Sequence, residues 1–321
     1  MHRRRASILA ALPGRILHGI AALVVLGTMT PLPALAQASL AEAGAWVCGT
    51  PRWRETASET AAGYQPSAAD RMLPWMAKLE ILEQRLEGGS FLKSNCGAAA
   101  LDRHWLITAA HCVASNDWLS VRVTLGSRDL DAGGAVRRSV AVALCHEGFD
   151  PSNLDFDLAL LRLDQPLPST FPTLRVATSY EIDQLRPNQQ ALSAGWARSG
   201  GSKKGTQMSR VLSRRYLRLV DPARSGFTGG AARLVAAPQA DEPSLCLGDS
   251  GGPLVADVGD GPSLVGVFSN VDALVDPATG EVTELCEGFE ARSYFTSLSG
   301  LHYWLDATRR ACAYDPAACG D

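Results

Sequence analysis

A series of short apolar runs, separated by turn-forming residues, extends along most of this chain. The runs are rich in residues that favour β-strands, and Gly, Pro, Asp or Asn stands between many of them. The Pro-containing stretch 165–172 divides the series into two groups. The sequence therefore predicts an all-β protein with two β units of similar size, whose strands lie at 76–82, 98–101, 105–108, 119–125, 140–144 and 158–163, and at 190–194, 211–219, 253–255, 264–268 and 294–296.

The end of the chain has a different pattern. Leu298, Leu301, Trp304 and Leu305 recur at helical spacing, which predicts a short amphipathic helix before Cys312. Because closed antiparallel barrels leave no exposed strand edges, we expect each β unit to close into a barrel.

The first 36 residues are typical of a secretory signal peptide. Basic Arg3–Arg5 precede an apolar run at about 16–26, and the small-x-small sequence Ala34–Ala36 stands before Gln37. A membrane anchor is the alternative, but the apolar run is shorter than the roughly 20 residues that span a bilayer. We expect cleavage of residues 1–36, secretion to an extracellular or periplasmic space, and no stable membrane anchor.

The rest of the chain divides at about residue 72. Residues 37–72 show little periodicity and are interpreted as an irregular lead-in or propeptide, which its Cys48 could tether. Residues 73–321 are the expected main domain, with β units at about 73–165 and 166–300 followed by the helix and a tail.

The net charge of −3 and the pI near 6.1 argue against a polyanion partner, because such proteins bind through a basic face that displaces counterions. The basic pairs Lys203–Lys204 and Arg214–Arg215 could form an anion patch, but a solvated loop face is the favoured interpretation. Nucleic acid is therefore not expected as a partner, and the oligomeric state stays open.

All eight cysteines follow the expected cleavage site, and an even number in an exported chain indicates disulfides. No CxxC pair occurs in the sequence. Cys96 with Cys112, His111 or His104 lacks the remaining ligands of a closed zinc site. No metal or cofactor is therefore expected.

The segment Gly248–Pro253, with the sequence Gly-Asp-Ser-Gly-Gly-Pro, indicates a nucleophilic serine. Small residues on both sides let the backbone turn tightly and let a substrate carbonyl approach Ser250. The backbone N–H groups of Gly248 and Ser250 would then converge as an oxyanion hole. A simple Ser-Gly turn is the alternative interpretation.

A serine hydroxyl needs a base to take its proton, and imidazole has a suitable pKa and reach. His111 ends the apolar run 105–110 and precedes Cys112, which could pin its loop covalently. The other histidines of the mature chain lack a comparable context. His111 is therefore the expected general base.

The imidazole in turn needs a buried carboxylate to hold its tautomer and to stabilise the imidazolium. Asp157 stands at the start of the apolar run 158–161 and is the favoured candidate. Asp155 lies two residues earlier, would point to the same side of a strand, and is the competing candidate.

Together these three segments resemble the chymotrypsin/trypsin-like serine peptidases, whose triad occurs in the order His, Asp, Ser. The specific pieces are Thr108–Cys112, Asp157–Leu161 and Gly248–Pro253, and the match runs from Pro74 to Trp304. The resemblance implies two packed six-stranded antiparallel β-barrels with the catalytic cleft between them. It also implies hydrolysis of peptide bonds through an acyl-enzyme.

The resemblance further implies two disulfides, Cys96–Cys112 and Cys246–Cys286. Four cysteines remain, and the sequence does not choose among their three pairings: Cys48, Cys145, Cys312 and Cys319.

The chain departs from this family where the activated N-terminus is expected. The family has a cleavage site followed by an Ile-Val-Gly-Gly-like stretch, whereas this chain has Ala62–Gln65. In the family the freed α-amine pairs with the carboxylate that corresponds to Asp249. A buried carboxylate without a cation is costly, so we expect another partner for Asp249 or an inactive protein.

The resemblance places Ser244, Ser269, Asn270 and Val271 around the pocket for the residue before the scissile bond. Ser244 stands where relatives that prefer basic residues carry aspartate, so a preference for Lys or Arg is not expected. Val271 could narrow the entrance of the pocket and favour small apolar residues.

A secreted endopeptidase that acts on proteins or peptides is the favoured function. One alternative is a protease-like binding protein without turnover, suggested by the missing activation sequence. An intact triad argues against it, because a binding module has no chemical need for all three groups. The other alternative is an esterase that uses the same triad.

Overall fold

A computed structural model gives the three-dimensional structure of the chain. It describes residues 39–52, 73–85, 91–114, 118–131, 133–197, 208–221, 233–239, 242, 244–271, 273–275, 282–285 and 292–319. The predicted signal peptide 1–36, the pair Lys203–Lys204 and Cys286 lie outside the described residues. Among the described residues, no helix combines the length and the apolar character that crossing a membrane requires.

The first half of the chain forms a closed antiparallel barrel. Its strands are β1 (Ala45–Gly49), β2 (Met76–Arg85), β3 (Phe91–Ala100), β4 (Trp105–Thr108), β5 (Ser120–Leu125), β6 (Val136–His146) and β7 (Ala159–Leu163). The strand order is β1-β6-β5-β2-β3-β4-β7, and β6 also pairs with β7. Strands β2 to β7 therefore close a six-stranded barrel, and β1 adds a seventh strand beside β6.

The second half forms another closed six-stranded barrel. Its strands are β8 (Gln190–Ala197), β9 (Met208–Val220), β10 (Arg233–Pro238), β11 (Pro253–Val258), β12 (Gly261–Val271) and β15 (Ser293–Ser297). Between β12 and β15, the strands β13 (Ala273–Val275) and β14 (Val282–Leu285) form a separate hairpin. The strand order around the barrel is β10-β15-β12-β11-β8-β9. The two barrels confirm the predicted all-β fold.

Alternation of side chains along the strands fills each barrel. In β5, Val121, Val123 and Leu125 are buried, whereas Arg122 and Thr124 face away from the barrel interior. Successive side chains of a strand point to opposite faces, so one face supplies the core and the other faces solvent or a neighbouring element.

Two helices flank the barrels. The short helix α1 (Ser179–Asp183) begins with a capping box, in which Thr178 and Glu181 satisfy each other's backbone N–H groups. The C-terminal helix α2 (His302–Tyr314) buries Trp304 and Leu305 against the protein core. This helix confirms the amphipathic helix that the sequence predicts.

Strand β1 lies within the segment that the sequence analysis interpreted as irregular. It pairs with β6, and the disulfide Cys48–Cys145 joins the two strands. Gly49 allows the indole of Trp118 to pack directly on the β1 backbone, since a Cβ at this position would overlap the ring. No periodic pattern marks this strand in the sequence, because only five residues form it.

The structure resolves the cysteine pairing that the sequence left open. Cys48 pairs with Cys145, and Cys312 pairs with Cys319. The expected Cys96–Cys112 disulfide is present. Cys246 is disulfide-bonded, and its expected partner Cys286 lies outside the described residues.

Replacing both Cys48 and Cys145 by serine should destabilise the protein more than replacing Cys312 and Cys319. The first disulfide spans 97 residues and the second spans 7. Loop-closure entropy predicts losses of about 4.7 and about 2.4 kcal/mol respectively. Urea unfolding of the two double variants measures the difference. Equal losses would contradict an entropic role for the longer loop.

Candidate active site

His111 sits on a short turn that follows a fully buried strand. Strand β4 ends at Thr108, and a 3-10 turn over Ala110–Cys112 follows it. Ala110 and Cys112 are buried while the imidazole remains 29% exposed. The Cys96–Cys112 disulfide ties this turn to β3, so the imidazole is presented from a covalently fixed loop.

The carboxylate of Asp157 is fully buried and has three hydrogen-bond donors. Its Oδ1 accepts the backbone N–H of His111 at 2.8 Å, and its Oδ2 lies 2.7 Å from His111 Nδ1. The hydroxyl of Ser269 donates to the same Oδ2 at 2.6 Å. This arrangement fixes the imidazole so that Nε2 points away from the carboxylate and is available to take a proton.

Asp155, the competing candidate, faces a different partner. The structure brings it within 3.8 Å of Arg233, whose guanidinium also donates to the carbonyl groups of Asn153 and Leu154. Phe156 has a φ of 46°, so the backbone between the two aspartates is not an extended strand. The expectation that Asp155 and Asp157 share one side of a strand is therefore wrong.

Ser250 lies in a tight turn that packs against the strand leading to His111. The carbonyl of Ser250 accepts the N–H of Gly97 at 2.6 Å. Gly251 has a φ of 80°, and a Cβ there would overlap the hydroxyl of Thr108. A residue without a side chain is therefore required for the serine turn to approach Thr108 and, beyond it, the turn of His111.

Two backbone donors beside the serine have no acceptor among the described residues. They are the N–H groups of Gly248 and Ser250, whereas those of Asp249, Gly251 and Gly252 are all hydrogen-bonded within the protein. Within the same residues, no hydrogen bond joins Ser250 to His111. Catalytic hydrogen bonds are often long in unliganded enzymes and shorten when substrate binds.

The carboxylate of Asp249 is buried directly behind the serine turn. It accepts the N–H of Ala197 at 2.9 Å and that of Cys246 at 3.1 Å. Burial raises the pKa of Asp249, while these hydrogen bonds and the positive charges of Arg215 and Lys78 oppose that rise. The buried carboxylate is thus satisfied by two backbone N–H groups, and the charges of Arg215 and Lys78 act on it without a direct ion pair among the described residues.

Arg215 contradicts its sequence-based interpretation as part of a solvated loop face. It lies on β9 and is only 2% exposed. Its guanidinium donates to the carbonyl groups of Ser244 and Ala197, at 3.2 and 3.3 Å. Arg215 and Asp249 therefore hold the same two segments together. Alternation along β9 could have revealed this, because Arg215 is in phase with buried Leu217 and Leu219.

The residues expected to line the specificity pocket divide into two groups. Ser244 and Asn270 each carry a buried side-chain oxygen without a hydrogen-bond partner, and Val271 packs against Ala197 and Cys246. Ser269 directs its hydroxyl to Asp157. The sequence analysis missed the hydrogen bond from Ser269 to Asp157, although a serine hydroxyl commonly satisfies a buried carboxylate.

His111, Cys96 and Cys112 bring three potential metal-ligating atoms within 4.8 Å of one another. Both sulfur atoms are consumed by the Cys96–Cys112 disulfide. Thiolates, not disulfide sulfurs, are the usual metal ligands, so this cluster is part of the histidine loop and not a metal site.

Comparisons with known proteins agree with this geometry. The trypsin family model matches residues 62–283. The chain belongs to the trypsin family of serine proteases. It is 29% identical to chymotrypsin-like elastase family member 1 of Rattus norvegicus, over 77% of this chain and 90% of the relative. It is 31% identical to granzyme M of Homo sapiens, over 58% and 70%, and 30% identical to neutrophil elastase of Mus musculus, over 57% and 63%.

Replacing Asp157 by asparagine should lower kcat/KM for a peptide substrate by about 10⁴-fold, because an amide favours the wrong imidazole tautomer. Asp155→Asn is the matched control and should cost less than about tenfold, as expected for a partly exposed ion pair. Steady-state kinetics with both variants measures the contrast. Similar losses in the two variants would argue against the assignment of Asp157.

Replacing Arg215 by methionine should move the acidic limb of the pH–rate profile to higher pH. The loss of this cation raises the pKa of Asp249 further, so a smaller fraction of the carboxylate is ionised at a given pH. Stability should fall by about 1–3 kcal/mol, because the buried carbonyl groups of Ser244 and Ala197 lose their charged donor.

Arg214→Met provides the matched control for Arg215→Met. Arg214 is exposed and lies over the ring of Tyr216 at 5.7 Å. Its loss should leave both the pH profile and the unfolding free energy nearly unchanged. An unshifted acidic limb in Arg215→Met would show that Asp249 does not depend on Arg215.

Proposed function

We propose that the protein is a secreted serine endopeptidase that cleaves peptide bonds through an acyl-enzyme on Ser250. The observation that carries the proposal is the fully buried Asp157 carboxylate, which holds His111 by two contacts beside the turn of Ser250. Membership of the trypsin family supports a peptidase function. The disulfides of the chain support an oxidising destination outside the cytoplasm.

In the proposed first step, His111 Nε2 takes the proton of the Ser250 hydroxyl while the oxygen attacks the carbonyl carbon of the scissile bond. Asp157 stabilises the imidazolium that forms. The negative charge moves to the carbonyl oxygen, where the free N–H groups of Gly248 and Ser250 would donate to it. The imidazolium then gives its proton to the leaving amine as the C–N bond breaks.

In the second step, water attacks the ester carbon and passes a proton to His111. The bond between the acyl carbon and the Ser250 oxygen then breaks, and the imidazolium returns the proton to that oxygen. The acid product leaves and the free enzyme is regenerated.

The specificity pocket favours residues other than Lys and Arg before the scissile bond. Ser244 contributes an uncharged hydroxyl where a preference for basic residues would need a carboxylate. Several relatives are elastases by name, which agrees with this proposal. Val271 beside Cys246 narrows the site and favours small apolar side chains.

A fluorophosphonate probe should label Ser250 of the secreted protein, because only an activated serine attacks this reagent readily. Ser250→Ala should abolish both labelling and turnover while leaving the fold intact. Circular dichroism and intact mass establish folding and labelling. A folded, fully processed protein that does not react would instead support a protease-like binding protein.

The second arm of this test compares matched amide and ester substrates that carry alanine or lysine before the cleaved bond. We expect amide cleavage with a preference for alanine of at least about tenfold. Hydrolysis of the esters alone would identify an esterase. A preference for lysine would overturn the proposed role of Ser244.

A further inference from the structure

A cavity of about 350 Å³ lies between the outer face of the first barrel and the start of β9 in the second. It belongs to neither the triad nor the specificity pocket. The residues that matter for its chemistry are Lys78, Glu80, Asn95, Arg137, Met208 and Arg210.

The strand register brings polar side chains into this cavity. Lys78 on β2 pairs with Thr124 on β5, which in turn pairs with Arg137 on β6. Glu80 pairs with Asn95 on β3. Because Lys78 and Glu80 are two residues apart on one strand, their side chains share the outer face of the sheet.

Lys78 is only 6% exposed. Its ammonium nevertheless has a single hydrogen-bond acceptor among the described residues. That acceptor is Asn95 Oδ1, at 2.8 Å. An ammonium carries three donors, so two of them have no acceptor among the described residues. Burial lowers the pKa of Lys78 to about 8, which reflects the missing solvation of its charge.

The charges around Lys78 leave room for one anion. Arg210 forms an ion pair with Asp131, with a hydrogen bond of 2.8 Å, and the other charged side chains that line the cavity are Lys78, Arg137 and Glu80. In the part of the chain that the structure describes, no carboxylate lies within 4 Å of the Lys78 ammonium. With Arg210 paired, two cations and one carboxylate remain in the lining, so the cavity has one positive charge in excess, and Lys78 is its most buried cation.

The cavity adjoins the proposed oxyanion hole. The thioether of Met208 lines it and also packs against Gly248, where an added Cβ would lie 2.7 Å from the sulfur. Asn95 stands two residues before Gly97, whose N–H binds the carbonyl of Ser250. The charge of Lys78 also acts on buried Asp249. An anion in this cavity would thus lie one side chain away from the reacting groups.

We propose that this cavity is a carboxylate-binding site, in which Lys78 forms an ion pair with the ligand. Two sources offer this chemistry: an acidic side chain of a bound peptide, or a small free carboxylate. The carboxylate site itself does not depend on the proposed peptidase function. Its occupation by an acidic side chain of a bound peptide rests on that function. A carboxylate fits because it accepts two hydrogen bonds in one plane and carries a single charge.

The first experiment measures the Lys78 amine directly in the full mature chain carrying Ser250→Ala, which needs no turnover. An amine-acylating reagent is applied over a range of pH, and peptide mass spectrometry reports modification at Lys78. Succinate should protect Lys78, since a bound carboxylate raises the pKa of the amine. A rise of one unit lowers the neutral, reactive fraction about tenfold at pH 7.

Asn95→Asp tests the site most directly, because it places a carboxylate beside the Lys78 ammonium within the protein. It should reproduce the protection without succinate and abolish any further effect of succinate. Arg186→Met, which removes an exposed cation elsewhere, is the control and should leave the protection by succinate unchanged. Succinate-insensitive labelling of Lys78 in the folded parent would overturn the site.

The second experiment distinguishes the two sources. Peptides that differ only by glutamate or glutamine, one position at a time on either side of the cleaved bond, are titrated calorimetrically into the Ser250→Ala chain. A preference for glutamate of about tenfold that disappears in Lys78→Met identifies a substrate side chain. Succinate binding without a glutamate preference identifies a free carboxylate. The absence of both succinate binding and a glutamate preference would overturn the proposal.

Discussion

The buried carboxylate of Asp157 is the contact on which the organisation of this protein depends. It receives donors from His111 in the first barrel and from Ser269 in the second. Thr296, also in the second barrel, donates to the Asp157 carbonyl at 3.2 Å. A fully buried carboxylate is costly unless its oxygens are satisfied, so the arrangement is stable only when both barrels are in place.

A second buried carboxylate organises the serine turn. Asp249 accepts backbone N–H groups from Ala197 and Cys246, and Gly195 leaves the space that its side chain occupies. Arg215 binds carbonyl groups of the same region from the opposite strand. The serine turn is therefore fixed by contacts within the folded barrel, and the cations that accompany Asp249 belong to strands β2 and β9.

The fold and the contact between His111 and Asp157 could largely be predicted from the sequence, because their signals are local. Strands with clear alternation and the Gly248–Pro253 segment are defined by neighbours along the chain. What the sequence could not give depends on distant partners. The buried position of Arg215 and the ion pair of Asp155 with Arg233 follow from the packing of separate strands.

Dependence on distant partners also explains why strand β1 in the N-terminal segment was not predicted. A five-residue strand has too few positions for a periodic signal, and its stability comes from β6 and from Cys145. Likewise, Lys78 looks like an ordinary outward-facing residue of a strand. Only the approach of β9 from the second barrel turns its surroundings into a cavity.

The link between Cys48 and Cys145 has a consequence for the fate of the N-terminal segment. If a protease cuts the chain between β1 and β2, the released end remains covalently attached to the first barrel. Such a nicked protein would gain only the mass of one water molecule under oxidising conditions and would separate into two polypeptides only after reduction. A cut anywhere between β1 and β2 therefore leaves the segment from Ala45 to Gly49 attached to the first barrel.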